Sequence, residues 1–217
     1  MLSRPFHHGN LPTVLLDHAA ETLRSRGIDA LSLRELARQA GVSHGAPRNH
    51  FPDRQALLDA LAERGFDQLT ELAQTAMDDD DDYEAMFQRV ATSYVRFAVS
   101  NAALLELMFA AKVDDPPVGV LKAAERLFAA FDQLIGRGLA AGYFQHTEPD
   151  RVRLLIVATM QGAATLLTSR RITAEQGSAL IADATSLILH SPGISRAAAT
   201  GAGLDALHPK QCEADAK

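Results

Sequence analysis

Apolar positions recur at three- and four-residue spacing along most of the chain, and no stretch shows the sustained alternation of a half-buried strand. The pattern predicts an all-α protein. The first helix runs from about Asn10 to Arg26, with Asn10 as N-cap and Pro12 in the first turn, where its missing N–H costs little. Leu11, Leu15, Leu16, Ala19, Ala20 and Leu23 form its inward stripe, and Gly27 ends it. A second helix spans Leu33 to about Gln39, opened by the capping-box pair Ser32 and Glu35. Gly41 permits a turn, Ser43 caps a third helix reaching about His50, and Asp53 caps a fourth that carries Leu57, Leu58, Leu61, Phe66 and Leu69 toward Met77.

Five consecutive aspartates, 78–82, read as a solvated break between domains. They lack the alternate-position spacing and turn glycine of a calcium loop. Helices then follow over Tyr83–Ser100 and Ala102–Ala111, a loop at 114–117, and a long helix over Val118–Ala141 closed by Gly142. Two more run from Pro149 to about Ser169 and from Ala174 to His190, stopped by Pro192 and Gly193. Residues 193–217 have little periodicity and are expected to be disordered. The helix around 152–169 is apolar on nearly all sides, so more than one face needs cover. With Leu180, Ile181, Ala184, Leu187 and Ile188 of the last helix, it predicts a symmetric four-helix interface between two copies, where Gly162 and Ala163 permit close approach.

Charge changes the picture only after the chain is divided. The 217 residues carry a net charge of −6. Yet residues 1–55 hold seven arginines against five acids, and five of the eight histidines fall in the first 50 residues. A locally positive end on an acidic body is compatible with DNA. The one cysteine, Cys212, leaves no intrachain disulfide and no paired-Cys zinc spacing, which fits a reducing cytoplasm. The first ten residues lack the apolar run of a secretory signal, and no uninterrupted apolar run is long enough to cross a membrane. No cofactor motif or acid/base constellation points to an enzyme. The adjacent pair His7 and His8 suits an N-terminal arm along DNA better than a metal site.

The third helix is the least explained by packing. Its run Ser-His-Gly-Ala-Pro-Arg-Asn-His is short, polar and low in helix propensity, so intrinsic stability is not its purpose. Leu33, Leu36, Ala37, Val42 and Phe51 account for a small core around it. His44, Gly45 and Arg48 share one arc. There, His44 meets base edges or phosphate, Gly45 allows close backbone approach, and Arg48 reaches guanine or phosphate.

Residues 7–66 resemble the DNA-binding domain of the TetR family of bacterial regulators. The likeness is carried by HHGNL at 7–11, LSLRELARQAGVSHGAP at 31–47 and HFPDRQALLDAL at 50–61. The resemblance implies a three-helix helix-turn-helix domain at 7–66 and a helical effector-binding and dimerisation domain at 83–190. It also implies a homodimer on a near-palindromic double-stranded DNA operator. By motif position, His44, Gly45, Ala46 and Arg48 fall where the family reads bases. Asn49, His50 and Arg54 fall where it grips phosphates, Ser32 and Arg34 lie near the backbone, and Ser43 opens the reading helix. Arg48 stands where the family usually has Tyr. In the second domain an apolar cavity for a small-molecule effector of unknown identity is expected among Phe87, Tyr94, Phe97, Met108, Phe128, Phe131, Gln161 and Thr165. No metal, cofactor or membrane is implied. The expected function is a repressor released by its effector. The competing reading is a small-molecule binding protein with weak or vestigial DNA binding.

Overall fold

The computed structural model describes residues 11–78, 82–110, 117–144 and 147–190, and every regular element among them is helical. The Asn10 cap, the His7–His8 arm, positions 79–81 of the aspartate run, most of the 114–117 loop and the 193–217 tail lie outside the described residues. Eight α-helices are described: α1 Leu11–Arg26, α2 Leu33–Gln39, α3 Arg54–Met77, α4 Tyr83–Ser100, α5 Ala102–Ala110, α6 Val118–Ala140, α7 Pro149–Thr168 and α8 Ala174–His190. Two short 3-10 turns, Ile28–Ala30 and Ala46–Asn49, stand between α1 and α2 and between α2 and α3. The described residues form two compact units, one up to Phe66 together with those from Asn101 to Val120, the other those from Asp67 to Ser100 together with those from Leu121 onward.

In the first unit Leu15, Ala19 and Leu23 of α1 are buried at one-turn spacing, as the stripe predicts. Gly27, at φ 78, ends α1. Ala37 has no exposed surface where α2 meets α1, and the small side chain lets the two helices approach. The end of α2 is a Schellman motif. The Val42 N–H donates to the Ala37 carbonyl at 3.0 Å and the Gly41 N–H to Arg38 at 3.3 Å, around a left-handed Gly41 at φ 67. The expected capping box is only half made. Ser32 Oγ accepts from the Glu35 N–H at 3.2 Å, but the Glu35 carboxylate turns to Arg38 and Gln39 instead of back to Ser32. Asp53 caps α3 by accepting the Ala56 N–H at 2.8 Å. By packing rather than by chain order, α5 lies with α1. A Cβ at Gly65 of α3 would stand 2.5 Å from Met108 Sδ, so α5 seats directly on the α3 backbone.

In the second unit α4, α7 and α8 pack mutually, and Phe87, Val90 and Ala98 of α4, Ile156 and Met160 of α7, and Ile181 and Leu189 of α8 are buried. Leu127, Phe131, Leu134 and Ile135 bury the inner face of α6. Tyr83 donates its hydroxyl to the Leu134 carbonyl at 3.0 Å, and burial pushes its pKa up. The start of α8 carries the full reciprocal box that Ser32 lacks: the Gln176 N–H donates to Thr173 Oγ1 at 3.2 Å and the Thr173 N–H to Gln176 Oε1 at 2.9 Å.

Candidate nucleic-acid interface

The expected α-helix over Ser43–His50 is instead one 3-10 turn over Ala46–Asn49. Proline is the reason. Pro47 has no N–H to return to the Ser43 carbonyl, so the turn closes through three-residue bonds: Ala46 to Ser43 at 3.0 Å, Arg48 to Gly45 at 3.1 Å and His50 to Pro47 at 3.0 Å. Gly45, not Ser43, occupies the N-cap, and Ser43 contributes its carbonyl.

Packing from beneath holds this turn in place. Pro47 is buried, Phe51 is only 6% exposed, and the Pro47 carbonyl also accepts from the Phe51 N–H at 2.8 Å. The opposite side faces outward. Ser43, His44, Gly45, Arg48, Asn49 and His50 are exposed, and Ala46 is half-buried. A Cβ built at Gly45 meets nothing within 4 Å, and its φ of −84 lies in the ordinary right-handed region. Neither backbone strain nor crowding by the described residues calls for glycine there.

Flanking charges are tied together by Glu35. Its carboxylate accepts from Arg38 at 2.7 and 2.9 Å and from Gln39 at 3.1 Å, with Arg26 at 3.8 Å. Hydrogen bonds from Arg38 and then Gln39 hold its pKa at about 2, below the usual carboxylate range. Ser32 and Arg34 are exposed at the start of α2. Arg54 behaves otherwise: its guanidinium donates to the carbonyls of Leu31 at 3.1 Å and Ile28 at 2.6 Å, partners that local sequence patterns do not signal.

The expected ligand residues are only partly brought together. Tyr94 and Gln161 meet: the Tyr94 hydroxyl donates to Gln161 Oε1 at 2.6 Å, and burial pushes the tyrosine up to about 12. Thr165 is exposed and returns its hydroxyl to the Gln161 carbonyl at 2.8 Å. Phe87, Phe97 and Phe131 are buried, Phe128 is half-buried, and Met108 belongs to the first unit over Gly65. Of these eight, only Phe87 borders the small cavity between α4, α7 and α8, whose volume is about 20 Å³. That is room for about one water. The α8 residues Leu180, Ile181, Ala184, Thr185 and Ile188 line it too, so four of the five α8 residues expected at the interface between two copies border a cavity within one chain. No helix among the described residues is long and apolar enough to cross a membrane, and none of their His, Cys, Asp or Glu groups is placed to hold a metal.

Comparison with known proteins meets this geometry at both ends of the chain. Residues 15–61 match the model for bacterial regulatory proteins of the tetR family, and residues 87–185 match the tetracyclin repressor-like C-terminal domain. The chain is 38% identical to a solved protein of unknown function from Rhodococcus sp. RHA1, with TM-score 0.77, covering 86% of this chain and 97% of that one. It is 30% identical over 96 residues to the HTH-type transcriptional repressor KstR2 of Rhodococcus jostii, a match covering 42% of this chain and 46% of that protein. It is 42% identical over 52 residues to the class A tetracycline repressor from transposon 1721 of Escherichia coli, 24% of each chain. These last two matches thus span less than half of either relative.

Proposed function

This chain belongs to the TetR family of bacterial regulatory proteins, and from that premise we propose that it is a dimeric transcriptional repressor. It grips a near-palindromic operator and lets go when a small molecule binds. The observation that carries the reading is the two-sided build of residues 43–51, with Pro47 and Phe51 anchored inward and a row of polar groups presented outward. His44, Gly45, Ala46 and Arg48 face base edges in the major groove. Ser32, Arg34, Ser43, Asn49 and His50 hold phosphates, helped by the N-terminus of α2.

Dimerisation is supported by the outer face of α7 and α8. Leu155 of α7 and Leu187 of α8 are exposed, Leu187 to 73%, while Leu180 is partly exposed at the rim of the small cavity. A Cβ at Gly162 would meet nothing within 4 Å. Glycine inside a helix costs about 1 kcal/mol relative to alanine, a cost that makes sense if a second helix comes close. The effector reading is supported by the Tyr94–Gln161 pair, a polar contact set in apolar surroundings near Phe87 and Phe97 on α4. The cavity between α4, α7 and α8 is water-sized, and the larger cleft of about 350 Å³ between α3 and α6 is lined by polar and charged groups such as Asp67, Glu71 and Arg126. An apolar effector beside Tyr94 and Gln161 therefore acts by favouring an arrangement with more room there. Helix α3 runs unbroken from one unit into the other and is the element that carries the change.

Selection of bound fragments from a random DNA pool tests the proposal. The expected product is a two-fold symmetric site whose half-sites lie about one helical turn apart. A pool with no enriched motif, or a motif without symmetry, would contradict it and return the small-molecule binding reading to first place.

A further inference from the structure

The motif position of Arg54 suggests a phosphate contact; its geometry points to a different task. We propose that Arg54 is the positioning residue that closes the base of the helix-turn-helix. For its consequence the proposal rests on the DNA-binding reading above. Its geometry stands on two hydrogen bonds. Nε donates to the Leu31 carbonyl at 3.1 Å and Nη2 to the Ile28 carbonyl at 2.6 Å, across sequence separations of 23 and 26 residues.

Both acceptors lie in the hinge that aims α2. Gly27 turns the chain at φ 78, Ile28–Ala30 form a 3-10 turn, and Leu31 is extended and buried just ahead of the Ser32 cap. The Ile28 carbonyl also accepts the Leu31 N–H at 3.2 Å, so Arg54 is tied to the turn itself. On the donor side, Arg54 opens α3 beside its cap Asp53 and close behind the buried Phe51. The two bonds therefore draw together the ends of the stretch from Leu31 to Arg54. Most of the proposed DNA-reading residues lie inside that loop. The reading turn has mostly three-residue bonds, one four-residue bond from Phe51 to Pro47, and low helix propensity, so its placement relative to α2 depends on how the loop is closed.

The chemistry needs arginine. A planar guanidinium reaches two carbonyls in a fixed fork, and a lysine ammonium keeps the charge without spanning it. With Nε and Nη2 aimed at backbone carbonyls, the fork is turned toward the hinge.

The test uses the full chain, DNA recovered from the random pool, and the variants Arg54→Lys and Arg54→Gln. Affinity is titrated against salt, and amide hydrogen exchange is followed without DNA, with amides of α4 as a control for folding. We expect both variants to bind about tenfold more weakly. Arg54→Lys should keep the wild-type salt slope, and amides 33–51 should exchange faster in both variants while α4 is unchanged. Wild-type affinity in Arg54→Lys, with a slope reduced by about 1 in Arg54→Gln, would make Arg54 a phosphate contact and overturn the proposal. Unchanged exchange over 33–51 would overturn it as well. If the wild-type chain binds no DNA, the function reading fails, while the exchange result still decides whether Arg54 closes the loop.

Discussion

Residues 43–50 and the outer face of α7 and α8 both present side chains that the other described residues do not cover, and they differ in what they present. The first is a polar turn of low intrinsic stability, carrying Arg48 and two histidines outward over a small anchor of Pro47 and Phe51. The second is built on long, well-formed helices and presents leucines. A polar, conformationally weak surface suits a hydrated polyanion that supplies the missing contacts. A stiff apolar surface suits another apolar surface of matching shape. On the proposed reading the first region meets DNA and the second meets another copy of the chain, so damage to the second weakens operator binding through loss of the dimer and not through the reading turn itself.

The largest expected effect is on the anchor. Phe51→Ala removes the buried ring beneath the reading turn and should destabilise the first unit by about 3–5 kcal/mol, measured by denaturant unfolding. Leu187→Glu strikes the other region. Leu187 is mostly exposed in the single chain, so the fold should persist, while association weakens by about 1.5–3 kcal/mol in sedimentation equilibrium. If the Leu187→Glu chain stays as dimeric as wild type, the assignment of the α7–α8 face is wrong.

Arg48→Ala comes next, weakening binding to the selected site by about 1–3 kcal/mol with no loss of stability. Uniform weakening across sequences with a salt slope lower by about 1 identifies a phosphate contact; relaxed preference at one base pair identifies a guanine contact. An unchanged affinity would remove Arg48 from the interface.

A smaller effect belongs to pH. Glu35 titrates at about 2 in the folded chain, below the ordinary carboxylate range. A depressed carboxylate contributes stability that is present above the unfolded value near 4 and is lost as pH falls toward 2. Chemical shifts of Arg38 and Gln39 should therefore hold steady down to about pH 4 and change only below it. A transition centred near pH 4 would show that the hydrogen bonds from Arg38 and Gln39 do not persist in solution.

Much of this architecture is readable from local pattern, because helix bounds depend on nearby residues. The Leu15–Ala19–Leu23 stripe, the Gly41 turn and the Asp53 cap all follow from neighbours within one or two turns. The Thr173–Gln176 box has the same local character, a T-x-x-Q signature, although it forms no part of the expectations drawn from the sequence. Ser32 and Glu35 show the limit of that code: the pattern is present, but Arg38, one turn further along, competes for the carboxylate. Pro47 shows a different limit. Its missing N–H, which turns the α-helix into a 3-10 turn, is plain in the sequence, yet its burial depends on the core beneath. Least legible were contacts set by tertiary packing, such as Arg54 on the Ile28 and Leu31 carbonyls, Tyr94 on Gln161, and α5 on α1.

Gly45 offers the most direct test that the reading turn is shaped for a partner and not for its own stability. Among the described residues nothing crowds a Cβ there, and its backbone suits any L-residue. Gly45→Ala should leave the fold intact and raise its stability by about 0.4–1 kcal/mol through the unfolded chain. In the same preparation, affinity for the selected DNA should fall, because the added methyl stands where the backbone meets the groove. Opposite movement of stability and affinity is the predicted result. Equal or improved DNA binding by Gly45→Ala would contradict the account.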